Sequence, residues 1–180
     1  MKFAYVRTMF FVVAAVLCMF STHAYAEVSI AVVDIDMVLV ESKAAKSIQK
    51  QIAEKRKTFL AEVKTAEDKL RAEQKALEKQ RGELSKEALM KKVQEFESRR
   101  ITARNTIQTK KQKLEKAYVT AMNLLTKSIY EVCQKVAAED KIDLIITRQN
   151  IVVGSMSLDI TKAVMERLNK KLPTLSLTVK

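Results

Sequence analysis

Residues 57–96 read KTFLAEVKTAEDKLRAEQKALEKQRGELSKEALMKKVQEF, and this stretch decides the fold. It consists mostly of alanine, glutamate, lysine, glutamine, arginine and leucine, which all favour helices. Up to Gly82 the apolar residues recur three, four or seven positions apart, as on one narrow stripe of a helix. With the residues upstream, this first stripe contains Ile48, Ile52, Phe59, Val63, Ala66, Leu70, Leu77 and, beyond the glycine, Leu84.

The pattern is interrupted at Gly82 and Ser85, where a glycine can end one helix and a serine can cap the next. No proline occurs from residue 43 to residue 136, and Gly82 is the only glycine there. We therefore predict an antiparallel helical hairpin, with helices over 43–81 and 86–138 and a turn at 82–85. One continuous helix is the alternative, because a lone glycine is tolerated inside helices. The second stripe contains Leu89, Val93, Phe96, Ala103, Ile107 and Leu114.

Short β-branched runs lie at the two ends of the chain and predict strands. The first is Val28–Val33, after which Asp36 could cap a brief helix over 37–40. The others, Ile142–Thr147 and Ile151–Val153, flank a three-residue loop and predict a β-hairpin. No carboxylate pair with a catalytic environment is indicated, because no histidine, cysteine or glycine-rich loop accompanies Asp34 and Asp36.

The helix that returns from the turn becomes apolar on more than one face from Tyr118 onward, so it must enter a packed body. A last amphipathic helix is predicted over Leu158–Leu172, and Pro173 ends it. The sequence leaves open whether the tail 174–180 is ordered. Its apolar side contains Ile160, Val164, Met165, Leu168 and Leu172.

The predicted fold class is therefore α+β, with a small β-containing body and a long protruding antiparallel helical hairpin. Residues 27–42 and 117–180 form the body, and residues 43–116 form the arm. Three short strands and one small helix make a weak core for a single chain, so we expect the body to self-associate.

The first 26 residues have the organisation of a cleaved export signal. Lys2 and Arg7 give a basic start, residues 9–20 are apolar, and Ala24-Tyr25-Ala26 supplies small residues for cleavage. The apolar run is shorter than the roughly 20 residues that span a bilayer. We expect export to the periplasm and a mature chain that begins at Glu27.

The residues after this cut exclude most enzyme classes. The only histidine, His23, lies in the leader, so the commonest general base and metal ligand are both missing. Two glycines in the whole chain cannot build a phosphate-binding loop. Cys133 lies in an apolar helical pattern and is predicted to be a buried small side chain. We predict no enzymatic activity, no cofactor and no metal site.

The excess positive charge lies in the arm. Residues 43–115 contain 21 Lys and Arg against 11 Asp and Glu, whereas the rest of 27–180 contains 10 of each. A cationic, thinly apolar arm suits weak contact with unfolded or anionic partners. The predicted contact residues are apolar at Phe59, Val63, Leu77, Leu84, Leu89, Val93 and Phe96, and cationic at Lys75, Lys79, Arg81, Lys91, Lys92, Arg99 and Arg100.

Several segments together resemble the Skp/OmpH family of periplasmic chaperones. They are Ala31-Val-Val-Asp-Ile-Asp-Met-Val-Leu, the lysine-rich hairpin, Lys141-Ile-Asp-Leu-Ile-Ile-Thr, and Leu158-Asp-Ile-Thr-Lys-Ala-Val followed by Leu168-Asn. The resemblance covers nearly the whole chain after the leader. The chain departs from the family in its Leu175-Ser-Leu-Thr-Val tail and at Gly154, where an aromatic residue is expected.

The resemblance implies a homotrimer in which short strands form the central body and three hairpins enclose a cavity. It implies ATP-independent capture of unfolded outer-membrane β-barrel proteins, with no nucleotide or other cofactor. We expect the trimer contacts to come from Val32, Val33, Leu144, Ile145, Ile146, Val152 and Val153.

Two other functions are compatible with the same residues. One is an envelope coiled-coil scaffold, and the other is a cationic binder of a polyanion such as lipopolysaccharide, or of an anionic membrane surface, through doublets such as Lys91-Lys92. The family's lipopolysaccharide site does not map cleanly onto this sequence. Nucleic acid is not expected as a partner, because of the export signal and because the arm has no aromatic stacking pattern.

Overall fold

The computed structural model describes residues 28–179, and the predicted leader lies outside them. Two strands and four α-helices follow in the order β1 (Ile30–Val33), α1 (Ile35–Glu41), α2 (Lys43–Gln80), α3 (Lys86–Asp140), β2 (Leu144–Thr147) and α4 (Thr161–Lys171). Short 3-10 turns at Arg148–Asn150 and Met156–Leu158 lie between β2 and α4. Within 28–179, no helix combines the length and apolar character that crossing a membrane requires.

The hairpin prediction is confirmed. Helix α2 ends at Gln80, residues 81–84 form turns, and the Ser85 hydroxyl accepts a 3.2 Å hydrogen bond from the Ala88 N–H at the start of α3. The alternative of one continuous helix is therefore wrong. Gly82 does not have a positive φ, and no atom lies within 4 Å of the position that a Cβ would take. The turn is thus exposed and does not depend on the special conformations of glycine.

The small sheet joins the two ends of the chain. Strands β1 and β2 are parallel, with Ile30 opposite Leu144 and Val33 opposite Thr147. Parallel strands need a long crossover connection, and here that connection contains the whole arm. On its other side, β1 forms a bridge with Asp159, and the Ile160 N–H donates to the Val32 carbonyl at 2.9 Å.

The predicted third strand, Ile151–Val153, is wrong. The chain leaves β2 through the turn at Arg148–Asn150 and must cross to the far side of β1 before it pairs at Asp159. Residues 151–155 are the loop that makes this crossing, so they cannot fold back on β2 as a hairpin. Val152 and Val153 are consequently almost fully exposed, at 99% and 90%.

The cap of the first helix is also different from the prediction. Asp34, not Asp36, accepts a 2.8 Å hydrogen bond from the Met37 N–H, so α1 begins at Ile35. Asp36 instead accepts a bond of 2.7 Å from the Gln149 amide in the turn after β2. Both carboxylates are therefore structural, as predicted.

The core lies in the body and at the root of the arm. Ile48, Leu125, Ile129, Val136 and Leu168 are among its completely covered side chains. Cys133 is buried in the same cluster, as predicted, and burial raises the pKa of its thiol. No residue from 53 to 116 is buried. The hydrophobic effect therefore stabilises the body and the first turns of the arm far more than the arm itself.

The last helix packs as predicted, with Val164 and Leu168 buried against α3 and the body. The tail after Pro173, whose order the sequence left open, lies along the root of α2. Leu177 is only 5% exposed, and its N–H donates to the Gln51 side-chain oxygen at 2.8 Å. The Gln51 side chain therefore fixes the backbone of the tail, and the burial of Leu177 adds an apolar contact.

Candidate binding surface on the helical arm

The apolar seam between α2 and α3 is only half-closed. Six of the seven apolar contact residues predicted from the sequence lie on it with half-buried side chains, and the seventh, Val93, is 44% exposed. The six are Phe59, Val63, Leu77, Leu84, Leu89 and Phe96. A coiled-coil seam normally covers such residues more fully by knobs-into-holes packing. The seam therefore keeps apolar surface within reach of a partner.

The packing around Phe59 leaves space on both sides of the ring. One cavity of about 350 Å³ is lined by Phe59, Leu114 and Val179, together with charged residues of both helices. A second of about 180 Å³ lies further along the arm, between Phe59, Val63 and Ile107. Both cavities are open to solvent, so they are crevices along the seam through which a partner can reach the Phe59 ring.

Near the tip, an open apolar groove of about 670 Å³ runs along the start of α3, beside Leu89, Met90 and Val93. The sequence stripe missed Met90, which is 65% exposed, and also Leu60 and Ile101, which are 64% and 56% exposed. These three lie off the seam, so a pattern that searches for the seam cannot find them. The signal that could have found them is a large apolar side chain outside the stripe on a charged helix.

Polar contacts cross the seam at intervals. Lys110 pairs with Glu62 at 2.7 Å, and Arg99 pairs with Glu73 at 2.9 Å. Nearer the tip, the Lys92 ammonium donates to the Gln80 side-chain oxygen at 2.6 Å. Exposed pairs of this kind stabilise a structure by only about 0–1 kcal/mol each, so they set the register of the two helices without closing the seam.

The predicted cationic contact residues divide into two groups. Three of them, Lys92, Arg99 and Arg100, have partners within the arm, and the partner of Arg100 is Glu97 at 2.8 Å. The other four are exposed: Lys75, Lys79, Arg81 and Lys91. These four lie in the turn or on either side of it, where a partner that approaches the tip can reach them.

The sequence matches the family described as "Outer membrane protein (OmpH-like)" over residues 29–168. The chain belongs to the OmpH-like family. The matched residues include both strands, the complete arm and most of α4. The resemblance drawn from the sequence is thereby confirmed. Among curated proteins, none matches this OmpH-like sequence.

The fold of this OmpH-like chain also occurs in a solved structure. A crystal structure from Caulobacter crescentus, of a protein described as a candidate OmpH-like outer membrane chaperone, superposes with a TM-score of 0.79. The two sequences are 18% identical, and the match covers 89% of this chain and 95% of the other. At this identity the match establishes the shared α+β fold with its helical arm.

The seven residues predicted to hold an OmpH-like oligomer together have very different exposures. Val32 and Val33 are 8% and 1% exposed, so this chain's own residues already cover them. Ile145 and Ile146 are half-buried, and Leu144 is 49% exposed. Val152 and Val153 project from the crossing loop, and Met156, which is not among the seven, follows in the next 3-10 turn and is 87% exposed. The exposed apolar surface of the body therefore includes this loop and the start of β2, together with Val28, Met37, Val40 and Tyr130, which are 50–63% exposed.

A series of hydrogen bonds links the residues that follow this loop to the rest of the body. The Asp34 N–H donates to the Thr161 hydroxyl at 2.9 Å, and the Thr161 N–H donates to Asp159 at 2.8 Å. Hydrogen bonds from the side chain and backbone of Thr161 lower the pKa of Asp159, and Arg148, paired with it at 2.9 Å, adds to this effect. Within 28–179, no three His, Cys, Asp or Glu side chains are grouped so that they could hold a metal ion.

Proposed function

We propose that this OmpH-like protein is a periplasmic holdase, which binds unfolded outer-membrane proteins without ATP and prevents their aggregation. Family membership supports a chaperone role, and chaperones of this family are not enzymes in general. The observation that carries the proposal is the arm: no residue from 53 to 116 is buried, and its seam is apolar but half-open.

The charge of the arm supports capture of a partner that is not yet folded. Attraction between opposite charges raises the rate of encounter, and it does so without requiring a defined interface. The exposed Lys75, Lys79, Arg81 and Lys91 are placed to make the first contact. The apolar seam around Phe59 and Phe96 would then hold apolar client segments weakly and at many places.

We further propose a homotrimer, with the body at its centre and the three arms around a client cavity. Several weak arms in one assembly bind more tightly than one arm, because the second contact is intramolecular. Val152 and Val153 in the crossing loop, with Met156 in the turn that follows it, supply apolar surface for this association. The division into an oligomerising body (27–42 and 117–180) and a binding arm (43–116) is part of the proposal, as is export to the periplasm by the leader 1–26.

Dilution of a denatured outer-membrane barrel protein tests the proposal. Light scattering is followed without nucleotide, with and without the protein at about one oligomer per client. We expect the protein to suppress aggregation, and a variant lacking the tip, residues 78–86, to form the same oligomer but suppress aggregation less. Full aggregation at low and moderate salt would overturn the holdase function and favour the scaffold.

The cationic alternative is distinguished by its ligand. A binder of lipopolysaccharide or of an anionic membrane would bind vesicles with anionic headgroups in a salt-sensitive way, and replacing Phe59 and Phe96 by serine would change this little. The holdase predicts the reverse, because the client contacts include the two rings. Suppression of aggregation by the Phe59→Ser, Phe96→Ser variant is therefore expected to be weaker than by the unmodified protein.

A further inference from the structure

The C-terminal tail lies in an apolar groove at the root of the arm. Residues 174–179 belong to no helix or strand, and from Thr174 to Thr178 their side chains alternate between exposed and covered. Leu175 packs against the core and Leu177 is buried, whereas Ser176 and Thr178 between and beyond them are exposed. The tail therefore presents one apolar side to the arm, as a β-strand does to a core.

The backbone of the tail is held by one side chain, that of Gln51. Its Nε2 donates to the Leu175 carbonyl at 2.8 Å, and its Oε1 accepts from the Leu177 N–H at 2.8 Å. Ser47 orients the amide by accepting from the same Nε2 at 3.0 Å through its hydroxyl. The Gln51 amide therefore makes the main-chain hydrogen bonds that a neighbouring β-strand would otherwise make. Main-chain bonds of this kind give affinity without depending on the peptide's sequence.

The groove continues past the end of the tail. Val179 lines the cavity of about 350 Å³ together with Phe59 and Leu114, and this cavity is followed by that of about 180 Å³ between Phe59, Val63 and Ile107. From Gln51 to Val63 the helix rises by roughly 18 Å, which about five extended residues can span. Up to Val179, the last residue that the structure describes, the tail fills the first part of the groove, and the cavity beside Val63 and Ile107 lies beyond it.

We propose that this groove binds extended client segments in which apolar and polar residues alternate, and that the tail is its tethered occupant. That the client is an unfolded outer-membrane protein rests on the holdase function proposed above. Alternation of this type is the pattern of transmembrane strands in outer-membrane barrels, and the tail sequence Leu175-Ser-Leu-Thr-Val has the same pattern. The tail covers the apolar root of the arm when no client is present, and a client segment displaces it.

The tail is suited to displacement because few contacts hold it. In residues 174–179, Leu177 is the only buried side chain. Within the described residues, the backbone of this segment makes two hydrogen bonds, both to the Gln51 side chain. A terminal segment of this kind opens locally at far lower cost than the core does. Tethering gives it a high effective concentration, so it returns when the client leaves.

Hydrogen exchange in the unmodified full chain tests the displacement. The Leu177 amide is bonded to Gln51, so we expect it to be protected, and to exchange at least tenfold faster once a denatured barrel protein has been bound. Unchanged exchange of 174–179 while the client is held would overturn the inference. If the client is not held at all, the holdase function fails, and the peptide experiment alone decides whether the groove is a binding site.

In that experiment, a fluorescein-labelled peptide TLSLTVK, the sequence of residues 174–180, is titrated with full-length variants and followed by anisotropy. Leu177→Asp should expel the tail and bind the peptide at least fivefold more tightly than the unmodified chain. Thr178→Asp, which adds the same charge on the exposed side, is the matched control and should bind as the unmodified chain does. Equal binding by all three chains would overturn the inference, provided that circular dichroism shows them folded. If Leu177→Asp does not fold, the exchange experiment decides.

Discussion

Leu125 and Leu60 show how differently the same side chain is used in the body and on the arm. Leu125 on α3 is completely buried, whereas Leu60 on α2 is 64% exposed. We expect Leu125→Ala to lower the free energy of unfolding by about 2–5 kcal/mol, because it leaves a cavity in the core. Leu60→Ala, the matched control, should change it by less than about 0.5 kcal/mol.

Urea denaturation followed by circular dichroism measures both changes, at one chain concentration because self-association contributes to stability. Similar losses from the two variants would contradict the placement of the core in the body.

Asp159 makes the stability of the body depend on pH. Its pKa in the folded chain lies below the ordinary value of 3.8, mainly because of the hydrogen bonds from Thr161. Its stabilising contribution is therefore complete above the ordinary value and is lost as the pH falls through the lower, folded pKa. We expect Asp159→Asn to lose less stability than the unmodified chain on acidification from about pH 5 to about pH 2.

At neutral pH the same variant should lose only about 0–1 kcal/mol, because asparagine can still accept from the Thr161 N–H and the pair with Arg148 is exposed. Asp68→Asn removes the same charge from an exposed position on α2 and is the control. If both variants respond to acid as the unmodified chain does, the network at Asp159 does not contribute to acid sensitivity.

Single residues are where sequence reasoning was least exact. Asp34 and Asp36 are both suitable caps, and the choice depends on where the Thr161 hydroxyl and the Gln149 amide lie in space. Neither partner is near in sequence. The order of the tail could not be predicted for the same reason, since the Gln51 side chain that binds its backbone lies 124 residues before Leu175.

At the scale of elements, the long helices were predictable because their signals are local. Helix propensity, apolar spacing and the Ser85 cap all lie within the segment that they determine. Strand pairing is not local. The run Ile151–Val153 has the composition of a strand, but its place in the sheet depends on β1, at the other end of the chain.

The charge of the arm is expected to act on the rate of client capture. Replacing Lys75, Lys79 and Lys91 by glutamate should slow capture several-fold at low salt, because it reverses the attraction at the tip. The difference should disappear as salt screens the charges. Stopped-flow fluorescence of a labelled client measures the rate.

The control reverses three exposed lysines of the body, Lys135, Lys162 and Lys170, so the net charge of the chain is the same in both variants. Equal slowing by the two variants would show that only total charge matters and that the arm tip makes no special contact.

At the scale of the whole molecule, the described residues divide the work of folding and binding. The buried side chains belong to the body, to the root of the arm and to the tail, whereas residues 53–116 have none. The arm can therefore offer its apolar side chains to a partner without weakening the core. The candidate contact residues could be predicted because they lie on the stripe, but their exposure could not, since it depends on how loosely the two helices pack.

The loop that crosses from β2 to Asp159 gives the test of assembly. Val152 and Val153 are almost fully exposed there, and apolar side chains so placed favour an interface. We expect the unmodified protein to sediment as three chains, and the Val152→Asp, Val153→Asp double variant to sediment as one. An interface would bury the two aspartates without partners, and burying an unpaired charge is costly. In the single chain the loop is open to solvent and tolerates both charges.

Leu60→Asp places a charge at an exposed apolar position on the arm and should leave the assembly unchanged. Circular dichroism must show all three proteins equally helical, so that a change in mass reports association and not unfolding. An unmodified protein that sediments as one chain would refute the trimer. A double variant that still sediments as three chains would instead move the interface from this loop to another exposed apolar part of the body, such as the start of β2.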